Sequence, residues 1–275
     1  MGGQISNLKK KTRFLQIRGL AAKQQTRNRV SSLLGASMNL LDNSVKILEK
    51  KPMTDPLNSP YPVPWEWISA THAKVSSTVG TGLRYYRSPS LVSTNGQYAA
   101  YSRIELQVQP QFARCRVSSV MFVENLKTGE LQTVAAASPL AESGMYASDD
   151  TDMSGTIAIL VPVSWNQEGS RVLAREFEAL FNSSDMSDYG VIWDKNDNYT
   201  YTVAPARSLY THAVLLGWSQ VCPGQVLFRA GNLGDRTWPL CAVDMTGQTI
   251  AVSEDKPLVF GSQASTDWIE PKTRF

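Results

Sequence analysis

The sequence predicts a mainly β body of jelly-roll or β-sandwich type, carried behind a helical N-terminal arm and containing one internal helix. Three observations predict it. Residues Ser102 to Gln109 alternate polar and apolar with period two, the pattern of a half-buried strand. From Tyr199 onward, short apolar runs recur at intervals of roughly ten residues and are separated by turns at Gly224, Gly231, Gly234 and Gly247, the rhythm of a sandwich or barrel. Seven Trp and ten Tyr supply residues that fit sheet faces. With 42% hydrophobic and 19% charged residues in 275, the chain can bury a core, as one large domain or two small ones, and is not wholly disordered.

The first element is the arm, residues 1–50. It opens Met1-Gly2-Gly3-Gln4-Ile5-Ser6, which fits N-myristoylation at Gly2. Behind it stand Lys9, Lys10, Lys11, Arg13, Arg18, Lys23, Arg27 and Arg29. Residues 1–51 hold eleven Lys/Arg and two Asp/Glu, whereas residues 52–275 hold sixteen and twenty-two. The chain is thus a basic arm on a mildly acidic body. One myristoyl chain binds a bilayer marginally, with an association constant of roughly 10⁴ M⁻¹. An adjacent polybasic patch adds about 1 kcal/mol per Lys/Arg at an anionic cytoplasmic leaflet, so the two signals together make an anchor. The same cations suit nucleic-acid phosphates, but the arm has one aromatic, Phe14, for stacking bases. Membrane contact ranks first, nucleic acid second and a solvated tail third, and the first two are compatible.

Within the arm, residues 8–30 fit a basic amphipathic helix weakened by Gly19, and Ser31 to Lys50 fit a second, with Leu33, Leu34, Met38, Leu41, Val45 and Leu48 three or four apart. Residues 51–67 read as a linker: Pro52, Pro56, Pro60, Pro62 and Pro64 favour extended chain, with Tyr61, Trp65 and Trp67 docking on the body. The body spans 68–275, and its β pattern begins near residue 83. Val117 to Val123 is a strand, Asn125 to Glu130 a turn and Leu131 to Ala136 the return of a hairpin. Glu142 to Ser154 reads as a polar, acidic surface loop, and Thr156 to Val163 as a strand stopped by Pro162 and the polar Asn166-Gln167-Glu168-Gly169. Arg171 to Phe181 reads as the internal helix, with Val172, Leu173, Phe177, Leu180 and Phe181 on its apolar face and Arg175, Glu176 and Glu178 in water. Strands follow at Tyr199–Val203, Ala213–Trp218, Gln225–Phe228, Pro239–Val243, Thr249–Val252 and Leu258–Phe260.

Motifs for chemistry are missing. His72 and His212 stand apart from any Cys or carboxylate at ligand spacing. Asp194 to Asn198 starts like a calcium loop but lacks the later Gly and Glu. No phosphate loop, nucleophile elbow or dinucleotide fingerprint occurs. Asp149, Asp150 and Asp152 read as a solvated cluster. Cys115, Cys222 and Cys241 are odd in number and far apart, which points to a reducing compartment, and the sequons at Asn182 and Asn198 then read as chance matches. No apolar run reaches the length of a membrane span, and the charged start without an apolar stretch does not read as a secretory signal. The expectation is a non-enzymatic protein without metal or cofactor.

Tyr101-Ser102-Arg103-Ile104, the strand to Val108, Pro110, the apolar strand Val117 to Val123 closing on Glu124, and the turn through Thr128-Gly129 resemble the core of the 30K superfamily of plant virus movement proteins over about residues 98–165. Glu124 stands where that family usually has Asp. The resemblance implies a jelly-roll-like domain, single-stranded nucleic acid as partner, membrane association and targeting to plasmodesmata. The acylated basic arm is also similar to that of myristoylated viral matrix and inner-capsid proteins, which line membranes and self-assemble. The expected function is therefore a viral movement protein, homo-oligomeric, on the cytoplasmic face of host membranes. The alternative is a matrix or capsid-type structural protein.

Overall fold

The computed structural model describes residues 55–141, 153–206 and 210–264. Gly2, the eight basic residues from Lys9 to Arg29, both arm helices and the acidic cluster at Asp149 lie outside the described residues. The arm, residues 1–49, forms a unit separate from Lys50–Phe275.

The second unit is mainly β, a sandwich of two sheets with one α-helix. The helix, α1, spans Trp65–Thr78, followed by strands β1 (Gly82–Arg87), β2 (Leu91–Val92), β3 (Tyr98–Val108), β4 (Arg116–Asn125) and β5 (Leu131–Val134). After these come β6 (Thr156–Trp165), β7 (Arg171–Leu180), β8 (Met186–Asp194) and β9 (Tyr199–Val203). The chain closes with β10 (His212–Ser219), β11 (Val226–Gly231), β12 (Leu240–Val243), β13 (Thr249–Val252), β14 (Pro257–Leu258) and β15 (Ser262–Gln263). Ten strands form one sheet in the order β15-β2-β3-β4-β6-β7-β8-β9, with β1 also on β3 and β5 also on β4. Five form the other, β13-β12-β11-β10-β14.

The large sheet has two parts joined at a narrow corner. β4 meets β6 in parallel through the single pair Val117↔Ile157, while every other neighbour pairing is antiparallel. Strands β6, β7 and β8 are buried on both faces. On one face Val163, Leu173 and Ile192 meet Leu215, Val226 and Phe228 of the small sheet. Gly190 lets the sheets close there, since a Cβ at that position would come within 3.3 Å of the Phe228 ring. On the other face Leu160, Val172, Ala174 and Val191 meet Ala100, Met121, Val123 and Val134. A strand covered twice has no solvent face, so its sequence does not alternate.

That burial corrects the internal helix. Arg171–Leu180 is strand β7, paired along its whole length with β6 and β8. Its run of Leu, Ala, Arg and Glu favours a helix locally, but two long neighbours supply backbone partners on both edges, and tertiary pairing overrides propensity. Arg175, Glu176 and Glu178 are buried, not in water. Pro162 likewise does not stop its strand. It sits at a bulge between Pro162 and Ser164, where a residue without an N–H is tolerated. The extra residue turns Trp165 to the opposite face, where its indole Nε1–H donates to Leu91 O at 3.0 Å.

The only α-helix among the described residues is α1, in a stretch that the proline pattern assigned partly to a linker. Ile68 and Val75, seven apart, are its buried residues, too narrow a stripe to announce a helix. Gly80, at φ +88°, closes it, with its N–H on Val75 O. From Asp55 on the supposed linker belongs to the body, since Asp55, Leu57, Ser59 and Val63 are all buried.

Candidate nucleic-acid interface

Two groups of charged side chains stand out, one inside and one outside. The inner group centres on Arg175, with no exposed surface. Its Nη1 donates to Asp55 Oδ2 at 2.6 Å and to Tyr61 O at 2.7 Å, its Nη2 to Asp55 Oδ1 at 3.2 Å, and its Nε to Asp188 Oδ1 at 2.7 Å. Asp188 Oδ2 accepts Leu215 N–H at 2.9 Å. Asp55 also accepts the N–H groups of Leu57, Ser59 and Val63. One carboxylate thus organises the strap 55–63, and one guanidinium fastens that strap to β7. Burial pushes Asp188 up to about 6 against the lowering pull of Arg175 and of the Leu215 N–H, and the nearby Asp55 charge adds to the rise. Tyr61 donates to Leu216 O at 2.9 Å, and burial raises its phenol to about 12.

On the opposite face of β7, Glu178 Oε1 accepts Ser138 Oγ–H and the N–H groups of Leu140 and Ala141. Glu176 Oε2 is buried and has no hydrogen-bond partner. Burial, then the charges of Glu178 and Asp188, push its carboxyl well above the usual range, which favours the protonated form. This is chemistry of structure: a clamp, a capped loop and a neutral acid.

The outer group lies on the outward face of β1 and β3 and reaches Phe122 of β4, whose Val120 and Ser118 on the same face are buried. Register puts Tyr85 opposite Glu105 and Arg87 opposite Arg103, then Tyr101 opposite Phe122 and Arg103 opposite Val120. Arg103 Cζ sits 4.2 Å from the Tyr85 ring centre and Arg87 Cζ 3.8 Å from that of Tyr101. Tyr101 stacks on Phe122 with centroids 5.6 Å apart and planes 29° apart. Tyr85 is 48% exposed and Arg103 is exposed. Among the described residues, Arg103 makes no ion pair. Two arginines directly opposite each other across a strand pair repel, and here each is stacked on a tyrosine.

Other predicted residues fall elsewhere. Glu124 is half-buried near the end of β4, between Ala99 and Leu131. His72 Nε2 pairs with Gln109 O and His212 Nε2 with Ser184 O, both backbone carbonyls of other segments. Asp194 to Asn198 is the β8–β9 turn, where Asp194 Oδ1 accepts Asn196 N–H and Asn198 takes φ +47°. Among the described residues no cluster of three His, Cys, Asp or Glu could hold a metal, and no helix is long and apolar enough to cross a membrane. Cys115 and Cys241 are buried, and burial raises both thiols, Cys241 to about 11, so neither is a ready nucleophile.

Sequence reading passed over the outer face, although Arg84-Tyr85-Tyr86-Arg87 and Tyr101-Ser102-Arg103 interleave cations with rings. Nothing local could have joined Asp55 to Arg175, 120 residues apart. No protein-family model matches the chain, and no curated protein matches it.

Proposed function

We propose that this chain is a non-enzymatic viral protein that docks on the cytoplasmic leaflet through acylated Gly2 and its basic arm and carries single-stranded nucleic acid between cells, as movement proteins do. The observation that carries the reading is on the outer sheet face, where an acidic body exposes Arg103 lying over the exposed ring of Tyr85. An exposed guanidinium suits a phosphate, and an exposed ring suits an unpaired base.

The test is flotation of the full chain, expressed in eukaryotic cells, on phosphatidylserine liposomes with labelled oligouridine, beside Gly2→Ala. The expected result is a myristoyl mass increment, flotation that depends on Gly2, and oligouridine floating with the protein. A chain that neither floats nor retains oligouridine overturns the reading.

One observation favours a second reading, a membrane-lining structural protein. Strand β9, Tyr199-Thr200-Tyr201-Thr202-Val203, ends the large sheet and carries neither charge nor proline, the usual guards of a sheet edge. Ordered assembly on anionic liposomes without nucleic acid distinguishes it.

A further inference from the structure

We propose that the β9 edge of the large sheet pairs antiparallel with β9 of a second copy of this chain, about a two-fold axis, so that two large sheets join into one. The inference goes beyond the transport reading and supplies the contact between copies that a membrane-lining protein needs.

Open backbone is the first argument. Strand β9 pairs with β8 along Tyr199–Val203, and among the described strands none covers its other side. Ala137 N–H comes near, but it donates to the Thr202 hydroxyl at 2.9 Å and not to the backbone. The small sheet ends in the same way, since β13 pairs with β12 alone. Ala206 N–H donates to the Thr249 hydroxyl at 3.0 Å. The chain leaving β9 therefore lies against β13, and both sheets end on one side of the sandwich. A strand edge of this kind is a ready template for another strand.

The second argument is what these edges carry. Thr249-Ile250-Ala251-Val252 has neither charge nor proline, like β9. Other edges of the protein are guarded. Strand β1 carries Arg84 and Arg87, β14 and β15 are two residues long, and β5 follows a turn with Lys127 and Glu130. On the β9 side the exposed side chains are instead apolar, with Tyr199 59% and Ile250 38% exposed. The Tyr199 ring meets Tyr201 edge-on with centroids 4.8 Å apart, and Tyr201 packs on the core between the sheets. The exposed ring is thus held in place before any partner arrives.

The third argument names the occupant. Residues 52–275 hold sixteen Lys/Arg against twenty-two Asp/Glu, so two copies repel over most of their surface and meet best along an uncharged strip. Strand β9 is also its own complement. An antiparallel pair centred on Tyr201 sets Tyr201 against Tyr201, Thr200 against Thr202 and Tyr199 against Val203. Aromatic pairs, threonine pairs and an aromatic beside a β-branched residue are the favourable cross-strand combinations. A strand from a different protein would leave its own far side open, whereas two identical edges close each other. Five paired residues make a small contact, and β13 with Ile250 on the same side widens it.

The experiment uses the full chain made in bacteria, where Gly2 stays unacylated, treated with nuclease and studied without vesicles. Sedimentation velocity should show a dimer of the 30.3 kDa chain. Thr200→Lys should weaken that dimer roughly tenfold or more, because each copy then brings an unpartnered cation to a neutral edge. Thr133→Lys, the same change at an exposed position of β5, should leave it within about twofold. Hydrogen exchange reads the contact without any substitution: β9 amides of the unmutated chain should exchange more slowly as protein concentration rises, and if Thr200→Lys does not fold this result decides alone. A chain that stays monomeric at tens of micromolar overturns the proposal. So does a dimer whose β9 exchange is independent of concentration, since its contact lies elsewhere. Open chains that Thr200→Lys abolishes would mean that β9 pairs with a different edge of the next copy, which overturns the two-fold arrangement. Each of these failures leaves the transport reading standing, because no nucleic acid or membrane enters the measurement.

Discussion

Arg175 on β7 and Arg103 on β3 are both arginines in the middle of a strand of the same sheet, and the protein treats them in opposite ways. Arg175 is fully enclosed and meets two carboxylates and a carbonyl. Arg103 is exposed, faces another arginine and stacks on a tyrosine. The difference teaches how to separate charge that the fold requires from charge that it leaves to solvent. A buried cation without partners would cost several kcal/mol, so its partners are built in. An exposed cation is solvated by water and needs none, so its setting is open to selection by something outside the chain.

The largest test of that contrast is Arg175→Met. Leaving Asp55 and Asp188 buried without their cation should cost about 3–5 kcal/mol in urea unfolding. Adding Asp55→Asn and Asp188→Asn should recover part of the loss, because the uncompensated charges are then gone. A loss below about 1 kcal/mol from Arg175→Met alone would mean that the strap is held by its apolar residues and not by the clamp.

Next is Glu176→Gln, read against pH. The folded pKa of Glu176 lies well above its unfolded value of about 4.3. The folded state therefore keeps a proton that the unfolded state releases, and stability is full below that unfolded value and falls as pH rises. Glu176→Gln cannot ionise. It should match the wild type near pH 4 and exceed it at pH 8 by on the order of 1 kcal/mol in thermal melts. A slope between about pH 4 and 6 should survive in the variant, because Asp188, at about 6, titrates with the same sign. Equal pH profiles for the two proteins would show Glu176 ionised in the fold.

A smaller effect belongs to Tyr61→Phe, which removes one hydrogen bond from the strap to Leu216 O and should cost about 1 kcal/mol. Spectroscopic titration of the wild type should leave one tyrosine protonated up to about pH 12, and that tyrosine should be absent from the variant's curve. The smallest is Arg103→Thr, which relieves repulsion with Arg87 and should change stability by less than about 0.5 kcal/mol, towards the more stable side. A large loss of stability there would place Arg103 with Arg175 among the structural charges and erase the contrast.

Legibility in the sequence divides these regions along the same line. The alternation of Ser102 to Gln109 is the register of β3, which has one face in the core, and β9 and β13 match their sequence boundaries residue for residue. Strand β8 carried no readable signal and β7 carried a misleading one, since both faces of each are covered. The outer face was half legible: Tyr85, Arg87, Tyr101 and Arg103 stand in the sequence as two ring-and-cation clusters, but only pairing of β1 with β3 brings them together.

By itself, then, the sequence determined that the body is β-rich, that the arm carries the basic charge, and where most half-buried strands run. These depend on local period and composition, which act within one segment. Only the tertiary structure decided that Arg171–Leu180 is a strand, that Asp55 is locked to Arg175, and that four side chains from two strands form one face. Each of these is settled by contacts outside the segment itself, and a segment's own preferences carry no record of what will pair with it or cover it.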